Sequence, residues 1–175
     1  QRILPRVCRG QMQVSVAMTE AEAGSALTDL RTRATQVEGG WRLEGRKVFC
    51  TGGGHSEAYL VYCRMSDQPG PRGIGALLVE KGTPGLSFGK QEVFLGLRGF
   101  PSCDVVFDGC IIPEQNVVVA AGGFRSLMQC FDIERCGNAT MALGIATGAL
   151  ETAAAYSLER ETFGKPIADR QAIQM

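Results

Sequence analysis

The sequence lacks the features that mark nucleic-acid-binding and membrane proteins. Its 175 residues carry 18 basic and 18 acidic side chains, so the formal net charge is zero. Nucleic-acid and membrane-surface binders show a basic excess or a basic face instead. No apolar run approaches the roughly 20 residues that a membrane-spanning helix needs, and the opening QRILPRVCRG carries charges throughout, unlike a signal peptide. We therefore expect no nucleic-acid partner, no membrane span and no signal peptide in these residues.

The sequence also lacks the clustered ligands of a metal site. It contains one histidine, His55, and its seven cysteines include no CxxC pair, whereas a zinc site needs clustered Cys and His. The cysteine count is odd, and several cysteines lie within apolar runs, such as Cys63 in YLVYCRM. We expect buried, reduced thiols and an intracellular, reducing compartment, either a bacterial cytoplasm or a mitochondrial matrix.

Helical patterns are missing before about residue 119. Short β-type runs alternate with glycine and proline turns; they include QVSVAMT, AYLVYCRM, GIGALLVE and CDVVFDGCIIP. Gly39-Gly40, between RATQVE and WRLE, is typical of a tight hairpin, and Gly82–Gly85 predicts another turn. Strands this close together, with no helices between them, favour an antiparallel sandwich or barrel over a doubly wound sheet.

From Gly123 the apolar period becomes helical, and no proline occurs before Pro166. The pattern predicts one helix of about nine turns that ends around Phe163. Gly164 is then expected just past its end, and Pro166 at the start of another helix. This last pattern stops at Met175 with its apolar face unfinished, so we expect the sequence to be a fragment of a larger protein.

The string AMTEAEAGS, residues 17–25, follows a predicted strand. Taken alone, it indicates only a polar turn that presents backbone N–H groups and hydroxyls. It resembles the "LTEPxAGSD" signature of the acyl-CoA dehydrogenase family, in which the threonine and neighbouring backbone groups bind the pyrimidine end of the flavin. In that family the serine also lies near the CoA part of the substrate. The resemblance therefore implies FAD contacts at Met18, Thr19, Gly24 and Ser25, and a substrate contact at Ser25.

A second string, GRKVFCTGG at residues 45–53, resembles the family's "NGxKxxITNG". This resemblance implies FAD contacts at Phe49, Cys50 and Thr51, with the aromatic ring packed on the isoalloxazine and the Thr51 hydroxyl bonded to flavin N5. A donor at N5 favours the reduced flavin, because N5 receives the hydride. The glycines that follow also fit a flexible loop or a phosphate loop, but Glu57 occupies the third glycine position of GxGxxG.

The later strings LVEKGTPG, LRG and VFDGCIIP resemble the remaining β-strands of the same domain in the family. Their wording is nearest to the isovaleryl- and isobutyryl-CoA dehydrogenases. These are branched- and short-chain members of the family, but the sequence does not give the length or branching of the acyl chain, because much of the acyl pocket would be built by segments outside it.

FDIER, early in the predicted helix, carries three further candidates. Asp132 and Arg135 are three residues apart and share a helix face, which fits either a surface ion pair or, by the resemblance, contacts to CoA. Glu134 matches the catalytic glutamate of the isovaleryl- and long-chain enzymes, which abstracts the substrate's α-proton. Most family members carry that base downstream, beyond the position of Met175, so both assignments stay open.

The string ERETFGKPIADRQ resembles the family's "ERxxFGxPIxxxQ". Taken alone, Arg160 fits the end of a helix, where a cation complements the helix dipole. The resemblance implies instead that Arg160, Thr162, Phe163 and Gln171 reach the FAD of a neighbouring subunit. A flavin shared in this way implies a homodimer or a homotetramer.

Together these strings predict an α+β fold. We expect an antiparallel β-barrel-like domain over residues 1–118 and the first helices of an antiparallel α-bundle over 119–175. The resemblance implies FAD-dependent α,β-dehydrogenation of an acyl-CoA in fatty-acid or amino-acid catabolism, with electrons passed to an electron-transfer flavoprotein. Two alternatives remain: a flavin oxidase of the same superfamily that uses oxygen, and a non-catalytic member that acts in protein assembly.

Overall fold

The computed structural model describes residues 2–175, which divide into two compact units. The first ends at Leu127 and contains the main sheet, and the second is Met128–Met175. The strands are β1 Val14–Ala17, β2 Arg33–Val37, β3 Gly40–Thr51, β4 Ala58–Arg64, β5 Ile74–Glu80, β6 Leu86–Phe88, β7 Ser102–Pro113, β8 Val117–Val119, β9 Glu161–Thr162 and β10 Lys165–Pro166. The helices are α1 Leu4–Cys8, α2 Phe124–Glu159 and α3 Gln171–Gln174, with short 3-10 turns at Leu27–Asp29, Gly70–Gly73, Glu114–Asn116 and Ile167–Asp169.

The first unit is an eight-stranded sheet in the order β6-β7-β3-β2-β4-β5-β8, with β1 paired to β4. Its pairings are antiparallel except those of β1 and β2 with β4. The predicted α+β class is confirmed. Within residues 2–175 the sheet does not close, because its end strands β6 and β8 have only three residues each and pair only inward.

The hairpin predicted at Gly39-Gly40 is confirmed, since Val37 pairs with Gly40 across a two-residue turn. The turn residues are Glu38 and Gly39, and Gly39 has φ +77°, a left-handed backbone that glycine adopts without steric cost. Gly40 already belongs to β3 and lies against β7, where an added Cβ would stand 2.2 Å from the Ile112 carbonyl oxygen. The glycine therefore permits the close approach of β3 to β7.

β3 is paired along most of its length with β7, and the register shifts between Lys47 and Cys50. Lys47 faces Val105 and Cys50 faces Cys103, so two residues of β3 stand opposite one of β7. This is a β-bulge, which bends a strand and redirects its side chains. Phe49, within the bulge, has φ +54°.

The core lies on one face of the sheet and is formed by apolar side chains of β1–β5 and β7. Four of the seven cysteines are buried and three are exposed, and none forms a disulfide. The expectation of buried thiols is therefore confirmed for β3, β4 and β7, where burial raises the pKa of Cys50 and Cys63 to about 12. It is wrong for Cys8, Cys130 and Cys136, which lie on helices outside this core.

The predicted long helix is present as α2, with 36 residues and a length of about 54 Å. Its predicted end is wrong, because α2 stops at Glu159. The chain then forms the β9–β10 hairpin, in which Phe163 and Gly164 have φ +53° and +77°. Pro166 precedes a 3-10 turn, not an α-helix. A glycine with positive φ serves either a helix end or a tight hairpin, and the sequence pattern does not separate the two.

Candidate functional site

The two strings with predicted flavin contacts lie side by side in the first unit. The Val48 N–H donates a hydrogen bond of 2.9 Å to the Thr19 carbonyl oxygen. The segment after β1 is thereby attached to the bulge of β3, although about thirty residues separate them in the chain. One surface thus presents both strings.

The bulge displays Phe49 and leaves Cys50 inside. Phe49 is 60% exposed, whereas the Cys50 side chain is buried in the core, so Cys50 offers only its backbone to that surface. Thr51 ends β3 opposite Ser102 and is exposed. Its hydroxyl has no hydrogen-bond partner among residues 2–175. An aromatic ring and a hydroxyl therefore stand close together along the chain, both available to a ligand.

The segment after β1 closes on itself before Gly24. Glu20 and Ala23 exchange two backbone hydrogen bonds of 3.1 and 3.2 Å. Gly24 and Ser25 follow this short loop and are exposed, while Met18 and Thr19 are half-buried. In the described part of the chain, the hydroxyls of Thr19 and Ser25 have no partner.

A buried ion pair attaches this segment to β3. Lys47 is fully buried, and its Nζ donates to Glu20 Oε1 at 2.8 Å and to the Met18 carbonyl oxygen at 2.9 Å. The Glu20 carboxylate also accepts hydrogen bonds from the backbone N–H groups of Arg31 at 2.6 Å and Thr32 at 2.9 Å. The pair thus links the end of β1, the segment before β2 and the middle of β3.

The charges of this pair are held by opposing effects. Burial disfavours the Glu20 carboxylate, but the bond and charge of Lys47, with the two backbone donors, outweigh burial and lower the pKa of Glu20 below its ordinary value. Burial also lowers the pKa of Lys47, and Glu20 opposes that change. The arrangement is consistent with a charged pair in which Glu20 accepts three hydrogen bonds and Lys47 donates two.

The glycine loop after Thr51 is anchored by hydrogen bonds. Gly52 N–H donates to the Pro101 carbonyl oxygen at 2.7 Å, Gly54 N–H donates to Tyr59 Oη at 3.0 Å, and Gln91 Nε2 donates to the Gly53 carbonyl oxygen at 2.9 Å. The first two contacts occupy N–H groups of Gly52 and Gly54 that a phosphate loop would need for its ligand.

The three candidates on α2 belong to the second unit. Asp132, Glu134 and Arg135 are all exposed. Within the described residues, Asp132 and Arg135 make no ion pair with each other or with another residue. The surface ion pair considered for them is therefore not formed, and the charged groups are available to a ligand.

The β9–β10 hairpin gathers the remaining candidates. Phe163 is at the tip and 98% exposed, Thr162 precedes it, and Arg160 precedes the hairpin with its side chain exposed. The Arg170 guanidinium lies 5.7 Å from the centroid of the Phe163 ring and donates to the Thr162 carbonyl oxygen at 2.8 Å. Gln171 begins α3 immediately afterwards.

Three residues that organise these surfaces were not among the predicted site residues: Glu20, Lys47 and Arg170. The first two carried a signal in the sequence, since a lysine at an inward position of a strand needs a buried acid nearby. Arg170 carried none, because its contacts depend on a hairpin that the sequence pattern presented as helix.

Residues 2–175 contain no group of three or more His, Cys, Asp or Glu side chains that could hold a metal ion. No helix in that range is long and apolar enough to cross a membrane.

Two family models match this chain, one over the sheet and one over α2 and the β9–β10 hairpin. Residues 15–110 match the family model "Acyl-CoA dehydrogenase, middle domain", and residues 121–175 match "Acyl-CoA dehydrogenase, C-terminal domain". The chain belongs to the acyl-CoA dehydrogenase family.

Individual relatives agree with this family. The mitochondrial isovaleryl-CoA dehydrogenase of Arabidopsis thaliana is 36% identical over 175 residues, which are 99% of this chain and 43% of that protein. A solved structure of a glutaryl-CoA dehydrogenase from Mycobacterium smegmatis in complex with FADH2 has a TM-score of 0.90 at 31% identity, over 99% of this chain and 44% of that one. A structure from work on the electron transferring flavoprotein of Acidaminococcus fermentans has a TM-score of 0.94 at 35% identity, over 99% and 46%. The chain therefore spans less than half the length of the relatives it matches.

Proposed function

We propose that this chain is the middle β-domain and the start of the helical domain of an FAD-dependent acyl-CoA dehydrogenase. In this proposal residues 1–118 form the first domain and residues 119–175 the second. The observation that carries the proposal is the bulge of β3, which exposes Phe49 in a left-handed backbone and leaves the Thr51 hydroxyl without a partner among the described residues. A buried side of the same strand holds the neighbouring segment in place.

The chemistry of this surface suits a flavin. An exposed ring stacks on a flat heterocycle, and the hydroxyls of Thr19, Ser25 and Thr51 are available for its polar edge. We assign FAD contacts to Met18, Thr19, Gly24, Ser25, Phe49, the Cys50 backbone and Thr51. When bound, FAD supplies the oxidant that accepts a hydride from the β-carbon of the substrate. The Thr51 hydroxyl would donate to the flavin atom that receives it.

The residues of α2 would serve the substrate. Arg135 suits the anionic groups of CoA, and Asp132 on the same face suits its hydrogen-bond donors; Ser25 would contact CoA from the β-domain. Glu134 would take the α-proton as a general base while the thioester oxygen is held by hydrogen bonds. The relative from Arabidopsis thaliana favours a branched, short acyl chain.

The hairpin would serve a second subunit. Arg160, Thr162, Phe163 and Gln171 stand at or next to one exposed two-stranded hairpin, a shape suited to reach a flavin held by a partner copy. We therefore propose a homodimer or homotetramer, active in a reducing intracellular compartment. Its electrons would pass to an electron-transfer flavoprotein.

The test is to mix the full-length protein, loaded with FAD, with a series of short acyl-CoAs. A dehydrogenase bleaches its flavin, reduces an artificial electron acceptor and consumes no oxygen. Bleaching with rapid oxygen uptake would instead identify an oxidase. If no acyl-CoA bleaches the flavin, the proposal fails and a non-catalytic role in assembly takes its place.

Thr51→Ala in the same protein isolates the role of the bulge. Because one transition-state hydrogen-bond donor is lost, we expect flavin reduction to slow by about 100-fold with unchanged thermal stability. Thr35→Ala, an exposed threonine on β2, is the matched control and should reduce at the wild-type rate. An unchanged rate in Thr51→Ala would remove Thr51 from the site.

A further inference from the structure

The peptide group between Met18 and Thr19 has its two polar atoms in different environments. The Met18 carbonyl oxygen accepts a hydrogen bond of 2.9 Å from the Nζ of the fully buried Lys47. No cis peptide bond occurs in the described chain, and in a trans peptide the N–H points opposite to the C=O. The Thr19 N–H is therefore directed away from Lys47. Among residues 2–175 it has no backbone acceptor.

Lys47 has no freedom to leave this position. Its side chain is 0% exposed, and its partner Glu20 is 5% exposed and anchored by two backbone N–H groups. The Thr19 carbonyl oxygen is fixed as well, because it accepts the Val48 N–H at 2.9 Å. One contact, from Lys47, thus holds this peptide group directly. The anchored Glu20 fixes Lys47, and the Val48 N–H fixes the next peptide group along the chain.

We propose that Lys47 is a positioning residue for the flavin: it orients and polarises the Met18–Thr19 peptide so that the Thr19 N–H donates a strengthened hydrogen bond to an electron-rich edge of the ring. This inference rests on the proposed function. A cation bonded to a carbonyl oxygen withdraws electron density from the amide, and the N–H of that amide becomes a better donor. The charge of Lys47 thus acts on the ligand through one peptide bond while the ammonium itself stays in the core.

The consequence concerns the flavin reduction potential. The reduced ring carries more electron density than the oxidised ring, so a stronger donor stabilises the reduced form. Lys47 therefore raises the potential and makes the flavin a better oxidant. A merely structural role for Lys47 would change stability and leave the potential of the bound flavin unaltered.

The experiment compares full-length holoenzymes of wild type, Lys47→Gln and the double variant Glu20→Gln/Lys47→Met. The single variant retains an N–H donor without charge, and the double variant leaves no unpaired ion, so at least one neutral version should fold. We expect the equilibrium constant for two-electron reduction to fall about tenfold, a shift of about 30 mV to lower potential, measured by equilibration with a redox dye. FAD affinity of the apoprotein, measured in parallel, should weaken in both.

Arg42→Gln is the matched control, because Arg42 is an exposed cation on the same strand whose ion pair, among the described residues, is with Glu44 alone. Its potential should equal that of wild type. The proposal would be overturned if the neutral variants bound FAD and the bound flavin kept the wild-type reduction potential. It would also be overturned if a lower Tm were their only change. The proposed function would instead be overturned if the wild-type protein bound no FAD, or if acyl-CoA did not reduce its bound flavin. The two failures are therefore distinguishable.

Discussion

At the scale of single residues, Glu20 and Lys47 attach the segment after β1 to β3. Each is almost fully buried, and each has charge-assisted partners. A buried ion pair adds little net stability over an apolar pair, but removing one member leaves an uncompensated charge in the core. The pair therefore matters chiefly through the geometry that it imposes on Met18 and Thr19.

Glu20→Gln should destabilise the protein by about 3–5 kcal/mol, because Lys47 would remain buried without its counterion. Adding Lys47→Met should restore most of that loss. Urea unfolding followed by circular dichroism measures both. Glu22→Gln, two residues along and exposed, is the control and should change the free energy of unfolding by less than about 0.5 kcal/mol. A small loss in Glu20→Gln would mean that Lys47 is not charged in the fold.

The same pair predicts a pH dependence. The pKa of Glu20 is held below the 4.5 of an ordinary glutamate, so its contribution to stability is present above pH 4.5 and is lost as the pH falls through the lowered pKa. In Glu20→Gln this part of the acid dependence should disappear. The measurement is the free energy of unfolding of both proteins between pH 3 and 6. If it changes with pH by the same amount in both, the prediction is contradicted.

At the scale of elements, backbone conformation decides what the site presents. The β3 bulge turns Phe49 outward, and the Phe163-Gly164 turn makes a hairpin where a helix was expected. Turns with positive φ recur between the strands as well. Gly82 and Gly85, in the turn from β5 to β6, have φ +93° and +85°, and the turn predicted there is confirmed by hydrogen bonds from Thr83 to Glu80 and from Leu86 to Thr83.

Gly82→Ala and Gly85→Ala separate strain from crowding in that turn. Both place a Cβ on a left-handed backbone, which costs about 1–2 kcal/mol. At Gly82 nothing lies within 4 Å of the new atom, whereas at Gly85 it would stand 2.2 Å from the Asp108 carbonyl oxygen. We expect Gly85→Ala to lose about 1–3 kcal/mol more than Gly82→Ala in thermal or urea unfolding. Equal losses would show that β7 shifts freely at Asp108.

At the scale of the whole molecule, the candidate residues occur in both compact units. The first contains the two strings at β1 and β3, and the second contains the charged residues of α2 and the β9–β10 hairpin. The exposed apolar side chains of α2, Ile133, Leu143, Ile145, Leu150 and Leu158 among them, fit a helix that packs in a larger bundle. These features agree with a chain that spans under half of its relatives.

Arg160→Ala should weaken FAD binding to the full-length protein by about 10- to 100-fold, because a charge-assisted hydrogen bond to an anion is lost. Lys165→Ala removes an exposed cation from the same hairpin and should retain the wild-type affinity. Titration of apoprotein with FAD measures the affinity, and light scattering measures the oligomer. A wild-type protein that is monomeric and saturated with FAD would show that the hairpin does not serve a partner subunit.

Glu134→Gln should slow flavin reduction by acyl-CoA about 100- to 10,000-fold if Glu134 is the base, with acyl-CoA binding preserved. Stopped-flow absorbance measures the reduction, and Glu151→Gln, an exposed acid on the same helix, is the control. A near-normal rate in Glu134→Gln would assign proton abstraction to a glutamate elsewhere in the full-length protein.

The sequence by itself determined the order of the elements and the family. Period-two runs with glycine turns predicted β1–β5 and β7, and the long proline-free stretch predicted α2. These elements could be predicted because side-chain alternation and backbone propensity depend on residues that are neighbours in the sequence. Thr19, Phe49 and Thr51 were named in another way, by the resemblance of two short strings to motifs of the family.

Only the tertiary structure decided which of these residues lie close to one another. The open sheet, the bulge that exposes Phe49 and buries Cys50, and the hairpin at Phe163 depend on which strand pairs with which, and at what register. The contact of Lys47 with Met18 and Glu20 joins residues 27 to 29 positions apart. Such contacts form because a charge that is buried in the core needs a partner. Which charges are buried depends on the assembled sheet and not on any one segment.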